Sequence, residues 1–300
     1  MKNISVVMSV FNGEKYLSRA LDSILSQSHT NFEFIVINDG SNDGTFEILE
    51  NYSDKRLKVF HMENQGLAGS LNHAISIAQN EYIARMDADD ISHQDRLKLQ
   101  LKFLVDNPEI NIIGSHVNII DENDCLLFKK IAPLSNKKIT DLLPLQSCIM
   151  HSTFMLKKDI YIELGCYRKV FKYAQDYDFL LRALSKELCF ANLPDVCLSY
   201  RVYDQAPNYK KNMLQIKFSN LARVSNSHHK KKSKLLIEPS ISKLEILSYS
   251  AYLNIVNYKT KFKFMNRILI CTAYSVAIFN PALLTHLYYD YLFYSKASKC

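Results

Sequence analysis

Short apolar runs alternate with helix-patterned stretches through residues 1–120 of this chain. The first run, Ile4–Val10, is rich in β-branched residues and uncharged, which is typical of a strand buried on both faces. Runs of the same kind follow at Phe34–Ile37, Leu57–Phe60 and Tyr82–Met86, with helix patterns between them. This alternation predicts an α/β fold with a mostly parallel sheet, whose ligands bind beyond the carboxyl ends of the strands.

The pattern is less regular beyond Asn111–Ile120. It predicts hairpin-like pieces near Cys125–Ile131 and Thr153–Leu156, a helix at Asp178–Ser185 and a strand near Val196–Val202. The sequence beyond Tyr209 is helical in pattern, basic and rich in tyrosine. We therefore expect an irregular second half and a helical extension after it.

Charge is divided unevenly along the chain. The 300 residues carry 37 Lys and Arg against 30 Asp and Glu, and 48% are hydrophobic, a globular composition that excludes a disordered chain. Residues 1–200 have a net charge of −5, whereas residues 201–300 have +12. An anionic partner is therefore expected at the C-terminal third. Nucleic acid is not expected, because no nucleic-acid-binding motif accompanies the charge and the body is acidic.

The cysteines and the N-terminus bear on the compartment. The 7 cysteines form no C-x-x-C pair, and the opening MKNISVVMSV is too short an apolar stretch for a secretory signal. An odd number of cysteines without a signal peptide indicates a reducing environment. We expect a cytoplasmic protein.

An acidic cluster, Asp87-Ala88-Asp89-Asp90, directly follows the fourth predicted strand. Clustered carboxylates repel one another, and a divalent cation such as Mg²⁺ or Mn²⁺ relieves this repulsion while also binding substrate phosphates. The alternative is a helix cap, in which Asp90 or Ser92 caps the helix containing Leu97.

A second polar motif, residues 38–45, follows the second strand. Asp39 stands at the strand end, where its carboxylate could accept a hydrogen bond from a nucleobase. The motif also has the composition of a turn, in which Ser41 or Asp43 would cap the next helix.

The third motif is Gln175-Asp176-Tyr177-Asp178. Asp176 is either a helix cap or a general base that takes a proton from an attacking hydroxyl. Asp178 and Arg182 are four residues apart and are expected to pair on one helix face.

Taken in order, seven motifs resemble the family 2 glycosyltransferases of the GT-A fold, which build bacterial surface polysaccharides. The motifs are SVVMSVFNGEKYL, FEFIVINDGSNDGT, ENQGLAGSLNHAI, YIARMDADD, HSTFMLKK, QDYDFLLRA and YRVY, spread from Ser5 to about Arg201. The resemblance implies a GT-A domain over residues 1–205, with a nucleotide-binding half at 1–120 and an acceptor half at 121–205. Residues 206–300 would form the extension.

The resemblance also implies how the donor is held. The loop after the first strand would cradle the uracil of a UDP-sugar through Ser9, Val10, Phe11 and Glu14, and Asp39 would contact the base. Ser9 stands where the family often has proline.

The catalytic end follows by the same resemblance. Asp87 would contact the ribose or the metal, and Asp89 would be the principal ligand of Mn²⁺ or Mg²⁺. Asp176 matches the base of inverting enzymes, and the cation would stabilise the departing nucleoside diphosphate. Tyr203 stands where many relatives have histidine.

Three more residues are candidates. Arg85 either pairs with a carboxylate or reaches a phosphate, and its alternative is a surface ion pair. His151 and Arg201 are possible acceptor or phosphate contacts, although a single histidine is more often structural.

The extension is expected to meet a membrane. A basic run, His228–Lys234, and four further basic residues precede Ile268–Tyr289, which contains no Asp, Glu, Lys or Arg. This segment could pack on the enzyme, lie at the interface or span the bilayer, although Asn280-Pro281 interrupts it. Basic residues beside aromatic, apolar helices favour peripheral binding to an anionic membrane surface.

The resulting hypothesis is an inverting, metal-dependent hexosyl- or N-acetylhexosaminyltransferase at the inner face of the cell membrane. It would move a sugar from a nucleotide donor, expected to be UDP-linked, to a lipid-linked or growing saccharide of O-antigen, capsule or lipooligosaccharide. One alternative is a non-catalytic, membrane-bound subunit of the same fold. Another is a Mg²⁺-dependent aspartyl phosphohydrolase. In those enzymes the strand that carries the nucleophile comes before the Gly-Asp-rich motif. Here the order is reversed, because Asp39 in the Gly-Asp-rich motif comes before Asp87.

Overall fold

A computed structural model of the chain describes residues 3–203 and 209–227. Its first part confirms the predicted alternation of strands and helices. The elements in order are β1 (Ile4–Val10), α1 (Leu17–Leu25), β2 (Phe32–Asp39), α2 (Thr45–Glu50), β3 (Leu57–Met62), α3 (Gly66–Ile77) and β4 (Tyr82–Asp87).

The second part is less regular, as expected. It contains β5 (Ile91–Ser92), α4 (Arg96–Asp106), β6 (Ile112–Ile120), β7 (Leu126–Lys130), α5 (Asn136–Leu142), β8 (Met155–Lys157), α6 (Lys158–Glu163), α7 (Gln175–Ser185) and β9 (Phe190–Arg201). The predicted hairpin near Cys125–Ile131 is confirmed, since β7 pairs antiparallel with β6. The hairpin-like piece predicted near Thr153–Leu156 is wrong, because His151–Thr153 forms a 3-10 turn and β8 pairs with β4 and β6 instead.

The strands of the described residues form one sheet in the order β3-β2-β1-β4-β8-β6-β9-β5. In addition, β7 pairs with the second half of β6, beyond the residues of β6 that pair with β8. Pairing directions place β1, β2, β3, β4, β6 and β9 parallel to one another, and β5, β7 and β8 run the opposite way. The predicted mostly parallel sheet is therefore confirmed. The carboxyl ends of β1, β2, β4, β6 and β9 meet at one edge.

The core lies on both faces of the sheet. Every residue of β2 is buried, and six of the seven residues of β1 are. Alternate residues of β1 such as Val6 and Met8 share one apolar cluster with Leu21 of α1 and Leu97 of α4, while α3 packs against β1 and β2. Burial on both faces explains why these strands read as continuous apolar runs.

A second unit of the chain comprises residues 144–146 and the residues from 205 onward. Its described part includes helix α8 (Tyr209–Ser227), in the region expected to be helical. Within residues 3–203 and 209–227, every helix is too short or too polar to cross a bilayer. The basic run at 228–234 and the segment Ile268–Tyr289 lie outside the described residues.

Candidate active site

The ends of the three central strands bring the first two motifs together. In the register of the sheet, Ser9 of β1 pairs with Asp87 of β4 on one side and with Ile37 of β2 on the other. Val10 pairs with Asn38. The predicted donor loop, Asp39 and the acidic cluster therefore begin at the same level of one sheet edge.

Two loops at this edge are joined by reciprocal hydrogen bonds. The Ser41 hydroxyl accepts from the Asn12 N–H at 2.9 Å, and the Asn12 side-chain oxygen accepts from the Asn42 N–H at 2.9 Å. Asp43 accepts from the N–H groups of Glu14 and Thr45. Helix α2 follows Gly44, so Ser41 is not its cap. Asp43 accepts from the N–H of Thr45, the first residue of α2, as the cap interpretation expected, and both side chains also fix the donor loop.

Glu14 and Asp39 both have backbone partners in this arrangement. Glu14 Oε2 accepts from the Gly44 N–H at 2.7 Å. Asp39 is buried, and its Oδ1 accepts from the Gln65 N–H at 2.7 Å. Gly40 adopts φ +74°, and a Cβ there would meet the Asn64 backbone nitrogen at 2.9 Å. Glycine is therefore required for this close approach of β2 to the loop before α3.

Phe11 projects from the donor loop with 52% of its surface exposed. It follows Ser9 and Val10, which lie within β1. An exposed aromatic ring at the carboxyl end of a parallel sheet is suited to stacking on a planar base, the role predicted for this loop.

The acidic cluster forms the centre of the edge. One carboxylate oxygen from each of Asp87, Asp89 and Asp90 lies within 4.8 Å of the others. Burial and the neighbouring carboxylates raise the pKa of Asp89, and they raise that of Asp90 well above its ordinary range. Ionising these three neighbouring carboxyls therefore costs free energy, and a bound cation would lower that cost.

Asp90 does not cap a helix. Its Oδ1 accepts from the Arg201 N–H at 2.9 Å, whereas helix α4 is preceded by Asp95 and Ser92 lies in β5. The cap interpretation of Asp90 and Ser92 is therefore wrong. Asp90 Oδ2 is buried and has no hydrogen-bond partner among the described residues. A buried carboxylate oxygen without a donor fits a cation ligand.

Arg85 is buried, so the surface ion-pair alternative is wrong. It is 1% exposed, and both of its terminal nitrogens donate to the Asp87 carboxylate. Ser152, from the 3-10 turn, also donates to Asp87 Oδ2, at 2.7 Å. These contacts fix the orientation of the Asp87 carboxylate.

Tyr203 and Arg201 connect the end of β9 to the cluster. The Tyr203 hydroxyl donates to Asp89 Oδ2 at 2.6 Å. Arg201 is 2% exposed, and its Nε donates to the Asp89 carbonyl at 2.8 Å. Tyr16 packs against both side chains, with its ring 4.2 Å from the guanidinium carbon of Arg201 and 5.7 Å from the Tyr203 ring. The residue at the family's histidine position thus touches the predicted metal ligand.

Sequence reasoning missed the support beneath the cluster. Arg96 and Gln100 of α4 are both fully buried. Arg96 donates to the Arg85 carbonyl at 2.6 Å and to Gln100 Oε1 at 3.0 Å, while Gln100 donates to the Thr153 carbonyl at 2.7 Å. One helix thereby holds the two segments that carry Asp87 and Ser152. The sequence signal that could have indicated this support is the spacing of Arg96 and Gln100, two polar residues four positions apart on the side of α4 that faces the core.

Asp176 lies in the first turn of α7 and is partly exposed. Burial raises the pKa of Asp176, the Asp87 carboxylate adds to this rise, and the Tyr177 N–H and Arg85 oppose it. The residue before α7 is Ala174, and no side-chain cap is formed, so the cap interpretation of Asp176 is wrong.

Asp178 is held by two arginines inside the fold. It is fully buried and accepts from Arg182 Nε at 3.0 Å and from Arg168 Nε at 2.9 Å. The predicted pair of Asp178 and Arg182 is confirmed. Arg182 also donates to the Cys166 carbonyl at 2.7 Å, which fixes the loop before α7.

His151 belongs to a buried hydrogen-bonded group. Its Nε2 lies 2.8 Å from the Tyr167 hydroxyl, which lies 3.1 Å from the Tyr161 hydroxyl. Burial and nearby Arg85 hold the pKa of His151 well below its ordinary value, so the ring is neutral at physiological pH.

The sheet and its edge define an α/β fold in which three aspartates cluster at the carboxyl end of β4. The sequence model of glycosyl transferase family 2 matches residues 5–165. The chain belongs to this family, and the GT-A fold predicted from its motifs is confirmed.

Relatives and solved structures agree with this assignment. The chain is 34% identical over 210 residues to the O-antigen biosynthesis glycosyltransferase WbnJ of Escherichia coli, covering 68% of this chain and 81% of that one. S. aureus TarS 1-349 in complex with UDP has a similar fold, with a TM-score of 0.57 at 20% identity over 89% of this chain and 74% of that chain. The mannosyltransferase PcManGT from Pyrobaculum calidifontis, in complex with GDP-Man and Mn²⁺, also has a TM-score of 0.57, at 15% identity over 96% and 84%.

Proposed function

We propose that the chain is an inverting, metal-dependent glycosyltransferase that moves a sugar from a UDP-linked donor to a saccharide or lipid-linked saccharide of a surface polysaccharide. The observation that carries this proposal is the convergence of the Asp87, Asp89 and Asp90 oxygens within 4.8 Å at the carboxyl end of β4. The O-antigen relative supports the polysaccharide class. The UDP in TarS and the Mn²⁺ in PcManGT support the donor and the cation.

The donor would lie across the ends of β1, β2 and β4. Ser9, Val10 and Phe11 would contact the uracil, with Glu14 holding their loop against residues 41–45. Asp39, whose Oδ1 already accepts from the Gln65 N–H, would present its other oxygen to the base. Arg85 would hold Asp87 in place for the ribose or the cation.

The carboxylates fit Mg²⁺ or Mn²⁺, because hard cations take oxygen ligands and complete their shell with phosphate oxygens. Asp89 would be the principal ligand, supported by Asp87. A cation bound there would supply Lewis-acid stabilisation of the leaving diphosphate.

Asp176 would act as the general base. It would take the proton from the acceptor hydroxyl as the acceptor oxygen forms a bond to the anomeric carbon. The bond from that carbon to the β-phosphate oxygen would break, and its electron pair would leave with UDP. Attack opposite the leaving group inverts the anomeric centre. His151 and Arg201 remain proposed contacts to acceptor or phosphate, each already held by internal partners.

Calorimetry with UDP, GDP and dTDP, each with Mn²⁺ and then with EDTA, tests the donor and cation parts of this proposal. We expect binding that is selective for UDP and lost in EDTA. Asp89→Ala should abolish it, whereas Asp106→Ala, which changes an exposed aspartate at the end of α4, should not. Equal binding of UDP in EDTA would contradict metal dependence.

Transfer is tested separately with UDP-sugars and lipid-linked acceptors. Donor binding without transfer or hydrolysis would favour the non-catalytic alternative.

A further inference from the structure

Strand β7 is exposed along its whole length, although it belongs to the sheet. All five of its residues are exposed, and Leu126, Leu127 and Phe128 expose 61%, 53% and 57% of their surface. A strand that covers a core buries alternate residues, so both faces of β7 are open. Among the described residues it pairs with β6 alone.

The exposed apolar surface continues beyond the strand. Ile131 and Leu134 expose 64% and 41%. We call these five side chains, Leu126, Leu127, Phe128, Ile131 and Leu134, the hairpin patch. They are five of the eleven large hydrophobic side chains exposed in the described residues, and they fall within nine consecutive positions. Single exposed apolar residues are ordinary, but a cluster of this kind marks an interaction surface.

The charge around the hairpin patch has one sign. Residues 126–138 contain Lys129, Lys130, Lys137 and Lys138 and no Asp or Glu, although residues 1–200 carry a net charge of −5. All four lysines are exposed. An apolar surface with a basic rim has the chemistry that binds anionic lipid headgroups and their underlying acyl chains.

Acidic residues in the preceding turn do not offset this charge, because they are engaged elsewhere. Glu122 pairs with Lys15 at 3.2 Å, and Asp124 pairs with Arg19. Asp121 accepts from the backbone N–H groups of residues 123 and 125.

The side chain of Arg201 links the turn of the hairpin to the acidic cluster. Arg201 donates from Nη1 to the Asp121 carbonyl at 3.0 Å and from Nε to the Asp89 carbonyl at 2.8 Å. A surface that holds the hairpin patch therefore holds the catalytic edge of the sheet close to it.

We propose that the hairpin patch docks on an anionic phospholipid bilayer and turns the carboxyl edge of the sheet towards the membrane. This adds a docking surface on the first unit to the membrane contact expected of residues 206–300. It does not depend on which donor the enzyme uses. A second copy of the chain is a poorer occupant, since pairing the patch with itself would gather the four lysines of both copies, eight in all, at one interface with no acidic residue from 126–138.

The chain contains no tryptophan, so one introduced tryptophan reports its own surroundings. The test uses the full chain with Phe128→Trp and vesicles of phosphatidylcholine and phosphatidylglycerol with brominated acyl chains. We expect a shift of emission to shorter wavelength and quenching of roughly half or more, since interfacial side chains lie about 5–10 Å into the headgroup boundary. Phosphatidylcholine alone should give a much weaker effect. Leu127→Trp places a second reporter on the opposite face of β7.

Phe46→Trp is the matched control, because Phe46 is 46% exposed on α2, beside the strands at the other end of the sheet. Its emission should not change with vesicles. Lys129→Ala with Lys130→Ala should lower the vesicle partition constant about thirtyfold, given the usual contribution of a lysine near an anionic surface.

Two results would overturn the proposal. One is unchanged emission from both β7 reporters in the presence of anionic vesicles, whether or not the protein sediments with them. The other is a shift that appears without lipid and grows with protein concentration, which would assign the patch to a second copy. UDP binding measured without vesicles reports on the proposed activity independently of either result.

Discussion

Asp176 and Asp178 stand two residues apart in the first turn of α7, yet replacing each with asparagine should have opposite consequences. Asp178 is fully buried between Arg168 and Arg182. Asp176 has a raised pKa, caused mainly by burial and increased further by the Asp87 carboxylate. The two variants have the same chemistry and nearly the same place in the chain, so each is the control for the other.

For Asp178→Asn we expect a loss of stability. Removing one partner of a buried ion pair costs about 3–5 kcal/mol. For a unit of about 200 residues this lowers Tm by roughly 6–20 °C, at about 2–4 °C for each kcal/mol. Any activity that remains should have an ordinary dependence on acceptor concentration, because Asp178 does not reach the reacting groups.

For Asp176→Asn we expect a loss of turnover without a loss of stability. A carboxyl whose folded-state pKa is raised stabilises the fold only below its unfolded-state pKa and opposes folding as the pH rises above it. Near neutral pH the substitution removes that opposition, so Tm should equal or exceed that of the unmodified chain. Removing a general base should lower kcat by about 10²- to 10⁴-fold.

Thermal melts and transfer assays on both variants check this reasoning. Activity of Asp176→Asn within threefold of the unmodified chain would refute the role of Asp176. A Tm for Asp178→Asn within a degree or two of the unmodified chain would refute the account of the buried pair.

Three further predictions follow from the same edge of the sheet. The transfer rate should fall as the pH decreases through the raised pKa of Asp176, because the base works only when ionised; a kcat profile that stays flat until the pH range of an ordinary aspartate would contradict this. Saturating Mn²⁺ with UDP should raise Tm by roughly 5–11 °C, since ligand at a hundred times its Kd stabilises by about 2.7 kcal/mol, and scanning calorimetry of Asp89→Ala should show no such rise. Tyr203→Phe keeps the ring against Tyr16 but removes the hydroxyl that donates to Asp89 Oδ2. Titration calorimetry should therefore find Mn²⁺ bound about fivefold more tightly, as expected for the loss of one competing hydrogen bond of about 1 kcal/mol. Weaker binding would mean that the Tyr203 hydroxyl orients Asp89 as a metal ligand.

The first half of the fold was predictable because its strands are buried on both faces. Ile4–Val10 is a strand with the same bounds in sequence and structure. Once the strands are parallel, residues such as Asp39 and Asp87 at their carboxyl ends must meet at one edge. Local pattern and topology agree there, so the position of the candidate site follows from the chain itself.

The rest depended on contacts between distant residues. Strand β9 begins at Phe190, earlier than expected, because Asn192 and Asp195 break the apolar pattern while the backbone still pairs with β6 through two register shifts. The burial of Arg85 and Arg96 has no local signature, since both residues are ordinarily exposed. The contact between Tyr203 and Asp89 joins positions 114 residues apart.

These distant contacts explain how the chain holds three carboxylates together before any cation binds. The buried guanidiniums of Arg85, Arg96 and Arg201 surround the cluster and supply positive charge. Burial lowers the pKa of Arg96 to about 10, so it is still charged at neutral pH. Charge this close lowers the cost of ionising buried carboxylates.

The same guanidiniums leave the ligand atoms accessible. Towards the cluster, Arg96 donates to the Arg85 carbonyl, Arg201 donates to the Asp89 carbonyl, and Arg85 donates to the Asp87 carboxylate. Among the described residues, no guanidinium donates to a side-chain oxygen of Asp89 or Asp90. The guanidiniums thus supply positive charge to the cluster without bonding to the side-chain oxygens of Asp89 and Asp90, which leaves those oxygens free of arginine donors for a cation. Replacing Arg96, which reaches the cluster through the Arg85 carbonyl, should therefore weaken cation binding by loosening the cluster, not by removing a ligand.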